Sequence, residues 1–333
     1  MAEDGRSRRP RRIILIRHGE SEGNVDSKKY CDIADPRIRL TEAGAQQAKQ
    51  CGEKIQDMIR KESINDEWLV YFYVSPYNRT LCTLKEIGRA FENEKKHIIG
   101  VREEPRIREQ DFGNFQEMHK ITAVKKERQR FGRFFYRFPE GESAADVFDR
   151  VTSFLESLWR DIDMNRLNTS GTKQQEVNLV IVSHGVTMRV FLMRWFKWTV
   201  EQFENLRNPK NCEIRVMQQG EGGEYSLLVH HTREELEEWG LNDDMIKDQE
   251  RRKYGKRERW INDECVDHWP WSGFQFFDTY KETVCTNKEL EQREEEKMTK
   301  DEECYFMVNG NGHDIELDNS ETPLDVGSTH PVE

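Results

Sequence analysis

The stretch Ile13-Ile14-Leu15-Ile16-Arg17-His18-Gly19-Glu20-Ser21 sets four apolar residues directly ahead of an arginine, a histidine and a glycine. An unbroken apolar run reads as a strand buried on both faces, the pattern of a parallel sheet rather than of a half-solvated one. In open α/β sheets, ligands gather beyond the carboxyl ends of the strands. Arg17 and His18 therefore stand where an anionic ligand is expected, and Gly19 is read as letting the backbone approach that ligand closely.

Two other segments repeat the arrangement. VNLVIVS (residues 177–183) is the clearest core strand and runs into His184 and Gly185; WLVYFYVS (68–75) leads through SPYNRT to Arg79. Taken singly, each residue has an ordinary explanation: a surface arginine, or a hydrogen-bonded core histidine. Together they bring two histidines and two arginines to one edge of a sheet. The arginine fork matches phosphate oxygens, and the helix N-termini that follow such strands attract anions.

Between these strands the pattern alternates with helices. Residues 41–62 carry helical spacing with Thr41 as the N-cap, 78–92 form a second helix, and 142–162 a long amphipathic one opened by PEGES. HGVTMRVFLMRWF, after the strand at 177–183, is a helix apolar nearly all round. HIIGVRE, CEIRVMQQ and YSLLVHH add three shorter strands. Strands alternating with helices imply an α/β fold: a three-layer α/β/α sandwich on a mixed, largely parallel sheet.

The chain divides into four stretches: a flexible basic arm (1–11), a body (12–231), a charged and aromatic-rich extension (232–285) and an acidic, disordered tail (286–333). The extension begins with what reads as a charged surface helix. The net charge of −11 belongs almost wholly to the tail, whose 14 acidic and 4 basic side chains leave 49 acidic and 48 basic ahead of it. That acidity therefore says nothing about the body's substrate.

Seven scattered cysteines form no CxxC pair, which speaks against a zinc site or a disulfide framework. No apolar run reaches the roughly 18 residues of a spanning helix. The N-terminus lacks a signal-peptide core, and Glu3 and Asp4 fit a transit peptide poorly. The expected location is the cytosol, with the five arginines between Arg6 and Arg12 offering a nuclear address as the alternative.

Six motifs in this order and spacing, RHGESEGN, LTEAGAQQA, SPYNRTLCT, EQDFGNFQ, PEGES and VSHG, resemble the histidine phosphatase superfamily in its phosphoglycerate-mutase-like branch. By that resemblance His18 is the nucleophile that is transiently phosphorylated. Arg17, Arg79 and His184 form the phosphate pocket together with Gly185, Asn24 is a further substrate contact, and Glu109 is the proton donor. Asp111, two residues on, is the rival carboxylate. The resemblance implies no metal and no organic cofactor. It implies a small phosphorylated substrate, with neither nucleic acid nor membrane as partner; the tail is kept as a protein-binding segment.

Three activities fit: a phosphatase of a small, carbohydrate-related metabolite, a phosphoglycerate mutase-type phosphotransferase, or a non-catalytic phosphate-binding module. Departures from the mutase pattern favour hydrolysis. Gly23 stands where mutases carry tryptophan, which is read as opening the site to water. Their adjacent arginine pair is missing, with only Arg128, Arg130 and Arg133 as separated basic candidates.

Overall fold

In the computed structural model, residues 9–63, 67–167 and 176–255 are described. The opening stretch forms β1 (Arg12–Arg17), and the alternation of its side chains decides the layers. Ile13 and Leu15 face one core, Ile14 and Ile16 the other, all at most 1% exposed. Five further strands complete the sheet: β2 (Trp68–Val74), β3 (Ile98–Glu103), β4 (Glu176–Ser183), β5 (Ile214–Gln219) and β6 (Tyr225–Ser226). Their order is β3-β2-β4-β1-β5-β6, with the first four parallel and β5 antiparallel to both β1 and β6. The sheet is thus mixed and largely parallel, as expected.

Helices cover both faces. On the Ile14–Ile16 side lie α3 (Glu42–Glu62) and α4 (Asn78–Arg89), whose Ile55, Ile59 and Ile87 are fully buried against Val70, Phe72 and Val180. On the other side lie α6 (Ala144–Asp163) and α7 (Gly185–Phe196), with Val147, Phe154, Val190 and Leu192 packed on Leu179 and Ile181. Truncating a fully buried side chain such as Ile55 to alanine should cost about 2–5 kcal/mol. Thr41 caps α3 as read from the sequence, accepting from the Gly44 N–H at 2.9 Å. Two single-turn helices, α1 (Glu22–Val25) and α2 (Lys29–Asp32), follow the opening stretch.

Three boundaries differ from the reading above. The basic arm ends earlier, because Arg11 already joins the sheet: its N–H donates to the Val177 carbonyl at 2.8 Å and its carbonyl accepts from Gln219 at 3.2 Å. YSLLVHH keeps only Tyr225–Ser226 as strand. The Leu227 N–H turns instead to the Gln249 side chain at 2.9 Å, so a helix captures the chain where a ladder would continue. That helix is α10 (Asp243–Tyr254), preceded by α9 (Arg233–Glu238). The expected charged surface helix is therefore two helices. They contribute Leu236, Met245 and Ile246, with Trp239 and Leu241 from the turn between them, to the main core. An unexpected α5 (Met118–Phe131) and a short α8 (Val200–Asn205) complete the described α-helices. The rest of the extension and the acidic tail lie outside the described residues.

Candidate active site

Parallel register builds the site. Arg17 pairs with Ser183 and Val74 with Val182, so β1, β2 and β4 release His18, Ser75 and His184 side by side at their carboxyl ends. The imidazoles of His18 and His184 lie 5.3 Å apart in an edge arrangement. His18 is 3% exposed, His184 0% and Arg79 2%. Arg17 is half-buried.

The hydrogen bonds determine which nitrogens are engaged. His18 Nδ1 lies 2.7 Å from the Gly19 carbonyl, which only accepts, so Nδ1 carries the proton and Nε2 presents its lone pair. Burial, and after it the neighbouring Arg79 and Arg17, hold the imidazole well below its ordinary value, so it stays neutral near pH 7. His184 is depressed in the same way, by burial first and then Arg79. Its Nε2 lies 2.7 Å from Ser75 Oγ.

Arg17 donates to the Pro209 carbonyl at 2.6 Å, and Arg79 to the backbone and carboxylate of Asp35 at 2.8 and 2.7 Å. Three buried nitrogens around His18 have no partner: Arg17 Nε, Arg79 Nε and His184 Nδ1. A buried donor without an acceptor costs about 1–3 kcal/mol, a cost that a bound acceptor would remove.

Glu109 joins this group and Asp111 does not. The Glu109 carboxylate, 9% exposed, sits at the N-terminus of α7 and accepts from the N–H groups of Gln110 (3.0 Å), Thr187 (3.3 Å) and Val186 (3.4 Å). Its loop is held by the carbonyls. Ser183 Oγ donates to Ile107 O at 2.8 Å, Thr187 Oγ1 to Arg108 O at 2.6 Å, and Arg150 NH2 to Glu109 O at 3.0 Å. Glu142 of PEGES clamps the same loop, accepting from Arg108, Arg150 and the Asp111 N–H. Asp111 itself is exposed and caps a turn, accepting from Gly113 at 2.9 Å.

Other expected residues have protein partners of their own. Asn24 Oδ1 accepts from Ser21 (3.1 Å) and from Asn211 Nδ2 (3.1 Å), which also reaches the His18 carbonyl at 3.1 Å. Asn24 thus ties the loop behind His18 to the 209–212 turn. Gly185 admits Asn208, whose Oδ1 would lie 2.7 Å from a Cβ there. Gly19 serves helix packing: a Cβ would meet the Gly44 carbonyl at 2.5 Å, and its N–H donates to Thr83 at 3.0 Å. Gly23 does not open the site, because the ring of Tyr30 fills the space beside it. Of the basic candidates, Arg133 pairs with Glu204 at 3.2 Å, Arg130 is exposed, and Arg128 lies over Phe138 at 5.3 Å. Ser75, Asp35, Tyr30 and Asn211 were not legible beforehand. Ser75 had one sign, its place as the last residue of a buried strand.

A neutral imidazole with a free nitrogen, ringed by buried cations at the carboxyl edge of a parallel sheet, defines an α/β protein that handles a phosphate-like anion. Comparison with known proteins makes the class definite. The family model of the histidine phosphatase superfamily (branch 1) matches residues 13–232, and the chain belongs to that family. It is 60% identical over 269 residues to phosphoglycerate mutase-like protein AT74 of Arabidopsis thaliana, covering 81% of this chain and 82% of that protein. It is also 34% identical to the broad-range acid phosphatase DET1 of Saccharomyces cerevisiae, covering 63% of this chain and 86% of that one. Among solved structures, one described as mycobacterial hydrolase 1 aligns at 21% identity and a TM-score of 0.49, over 65% of this chain and 96% of that one. The protein is an enzyme of the histidine phosphatase type.

Proposed function

We propose that this enzyme hydrolyses small phosphomonoesters, carbohydrate-related ones among them, through a phosphohistidine formed on His18. The observation that carries the reading is the set of three unpartnered buried nitrogens, on Arg17, Arg79 and His184, around an imidazole whose Nε2 is free. Phosphoryl oxygens supply the acceptors these nitrogens lack. When Ser75 donates to His184 Nε2, the proton of that ring sits on Nδ1, an N–H without a protein acceptor.

His18 Nε2 forms a bond to phosphorus as the ester P–O bond breaks. The negative charge spreads over the non-bridging oxygens, where the arginines and His184 meet it without reorganising. Glu109 gives a proton to the departing alkoxide. A water then attacks the phosphohistidine and passes its proton to Glu109, releasing inorganic phosphate and restoring His18. The 34% identical yeast relative, named an acid phosphatase, supports hydrolysis rather than transfer between hydroxyls.

Two measurements test this. Mass spectrometry of rapidly quenched enzyme should find an acid-labile phosphate on His18. An assay mixing enzyme with 3-phosphoglycerate and catalytic 2,3-bisphosphoglycerate should yield free phosphate faster than isomerised product. Isomerisation outrunning phosphate release would return the assignment to the mutase.

A further inference from the structure

Tyr30 was no part of the motif set, yet it borders the site on two independent counts. The first is steric. A Cβ on Gly23 would lie 2.7 Å from Tyr30 Cε2 and Cζ and 2.9 Å from its Oη. The ring therefore lies against the backbone of α1 at Gly23. The second is electrostatic. The phenol interacts with Arg79, Asp35, Arg17 and Glu109, and both Arg17 and Arg79 feel it in return. The phenol carried by α2 is thus electrostatically coupled to Arg17, Arg79 and Glu109 while its ring packs on Gly23.

Its hydroxyl is unengaged. Among the described residues no protein group hydrogen-bonds to it, which leaves it free to donate to a ligand. Burial, the largest influence, raises the phenol's pKa, so it remains a neutral O–H donor across the working range.

Resting on the phosphatase reading, we propose that Tyr30 is a specificity-determining residue that touches substrate. Its hydroxyl donates to a non-bridging phosphoryl oxygen, and its ring narrows the mouth through which the ester's alcohol portion projects. Gly23 is the other half of this device, because only a residue without a Cβ lets the ring lie there. The glycine is thus needed for an aromatic roof supplied from seven residues further along the chain.

The test uses the full chain with inorganic phosphate as the probe. Calorimetric binding of phosphate should weaken about ten-fold in Tyr30→Phe, equivalent to about 1.4 kcal/mol, while the thermal midpoint stays unchanged. Tyr30→Ala should raise kcat/KM for 1-naphthyl phosphate relative to methyl phosphate, with the change mainly in KM. Gly23→Ala should displace the ring and match the phosphate affinity of Tyr30→Phe, and the double variant should bind no worse than Gly23→Ala alone. Unchanged phosphate affinity in Tyr30→Phe, or equal effects of Tyr30→Ala on both esters, would overturn the proposal. The binding result does not depend on turnover: weakened binding with no ester hydrolysis by the parent enzyme would support the Tyr30 contact and defeat the phosphatase reading instead.

Discussion

Arg12 and Arg17 stand at opposite ends of the same strand, β1, and their surroundings are opposite in kind. Arg12 is fully buried and all three of its guanidinium nitrogens are engaged: Nε with Gln218 at 2.9 Å, one terminal nitrogen with Asn178 at 2.9 Å, the other with Glu62 at 2.5 Å. Arg17 keeps part of its surface open, donates to a single carbonyl and leaves Nε without a partner. A satisfied buried arginine holds its own structure together. An unsatisfied one is a cost to folding that a bound acceptor would remove. At the amino end of β1 the arginine is fully paired, and at the carboxyl end it is not.

That contrast can be broken by substitution. The largest effect belongs to His18, which lies one residue beyond β1. His18→Ala should abolish turnover and the acid-labile phosphate while the circular dichroism spectrum is retained. Full activity in that variant would remove the basis of the site assignment.

Next comes Glu109. Glu109→Gln keeps the size of the side chain but cannot shuttle a proton, so turnover of an alkyl phosphate should fall by about two to four decades. With an aryl phosphate, whose leaving group scarcely needs a proton, the fall in the first step should be much smaller. Asp111→Asn should change either rate less than about two-fold, since Asp111 is exposed and serves a turn. The reverse ranking in steady-state kinetics would exchange the two carboxylates.

The arginine pair sharpens the comparison directly. Arg17→Met should lower kcat by about 100- to 1,000-fold, the loss expected for one preorganised oxyanion donor, with a thermal midpoint unchanged or raised. Arg12→Met should do the opposite. It strands the buried Asn178 Oδ1, costing on the order of 2 kcal/mol of stability, and leaves kcat near its parent value. Denaturant melts and initial rates on both variants decide the matter. If both lose stability and neither loses activity, the two ends of β1 are alike.

The smallest effect is the response to acid. His18 and His184 are held well below the ordinary imidazole value, by burial first and Arg79 second. The unfolded chain takes up those protons near pH 6.5 and the folded chain does not. Stability should therefore fall as the pH drops below about 6.5 and continue to fall towards the folded values. The His18 imidazole stays neutral through that window, so its limb of kcat/KM should appear well below 6.5. A limb at the ordinary imidazole position would show that His18 is not shielded. Arg12→Met should leave that limb in place, whereas Arg17→Met should raise it by removing one of the depressing charges.

Much of the site was legible because parallel sheets concentrate function at one edge. An apolar run that stops at Arg17-His18, a second that stops at His184 and a third that leads to Arg79 converge as soon as the strands are placed side by side. The protein neighbours of Gly19 and Gly23 were not legible for a physical reason. A glycine announces close approach but not what approaches, and here the neighbours are the Gly44 backbone and the Tyr30 ring. The segment after His231 was misread for another. Charged residues dominate α9 and α10, so the buried Leu236, Met245 and Ile246 leave too sparse a pattern to announce a packed face.

The sequence by itself determined which residues end the buried strands, and through them the fold class and the place of His18 at a strand end, because hydrophobic runs and their punctuation are local properties of the chain. Only the tertiary structure decided which nitrogens around His18 are partnered. It also decided that Glu109 rather than Asp111 faces the site, and that Tyr30 lies over Gly23. Those outcomes depend on register and loop closure between residues far apart in sequence. Hydrogen-bond geometry, fixed to within a few tenths of an ångström, exists only once the strands and loops have met.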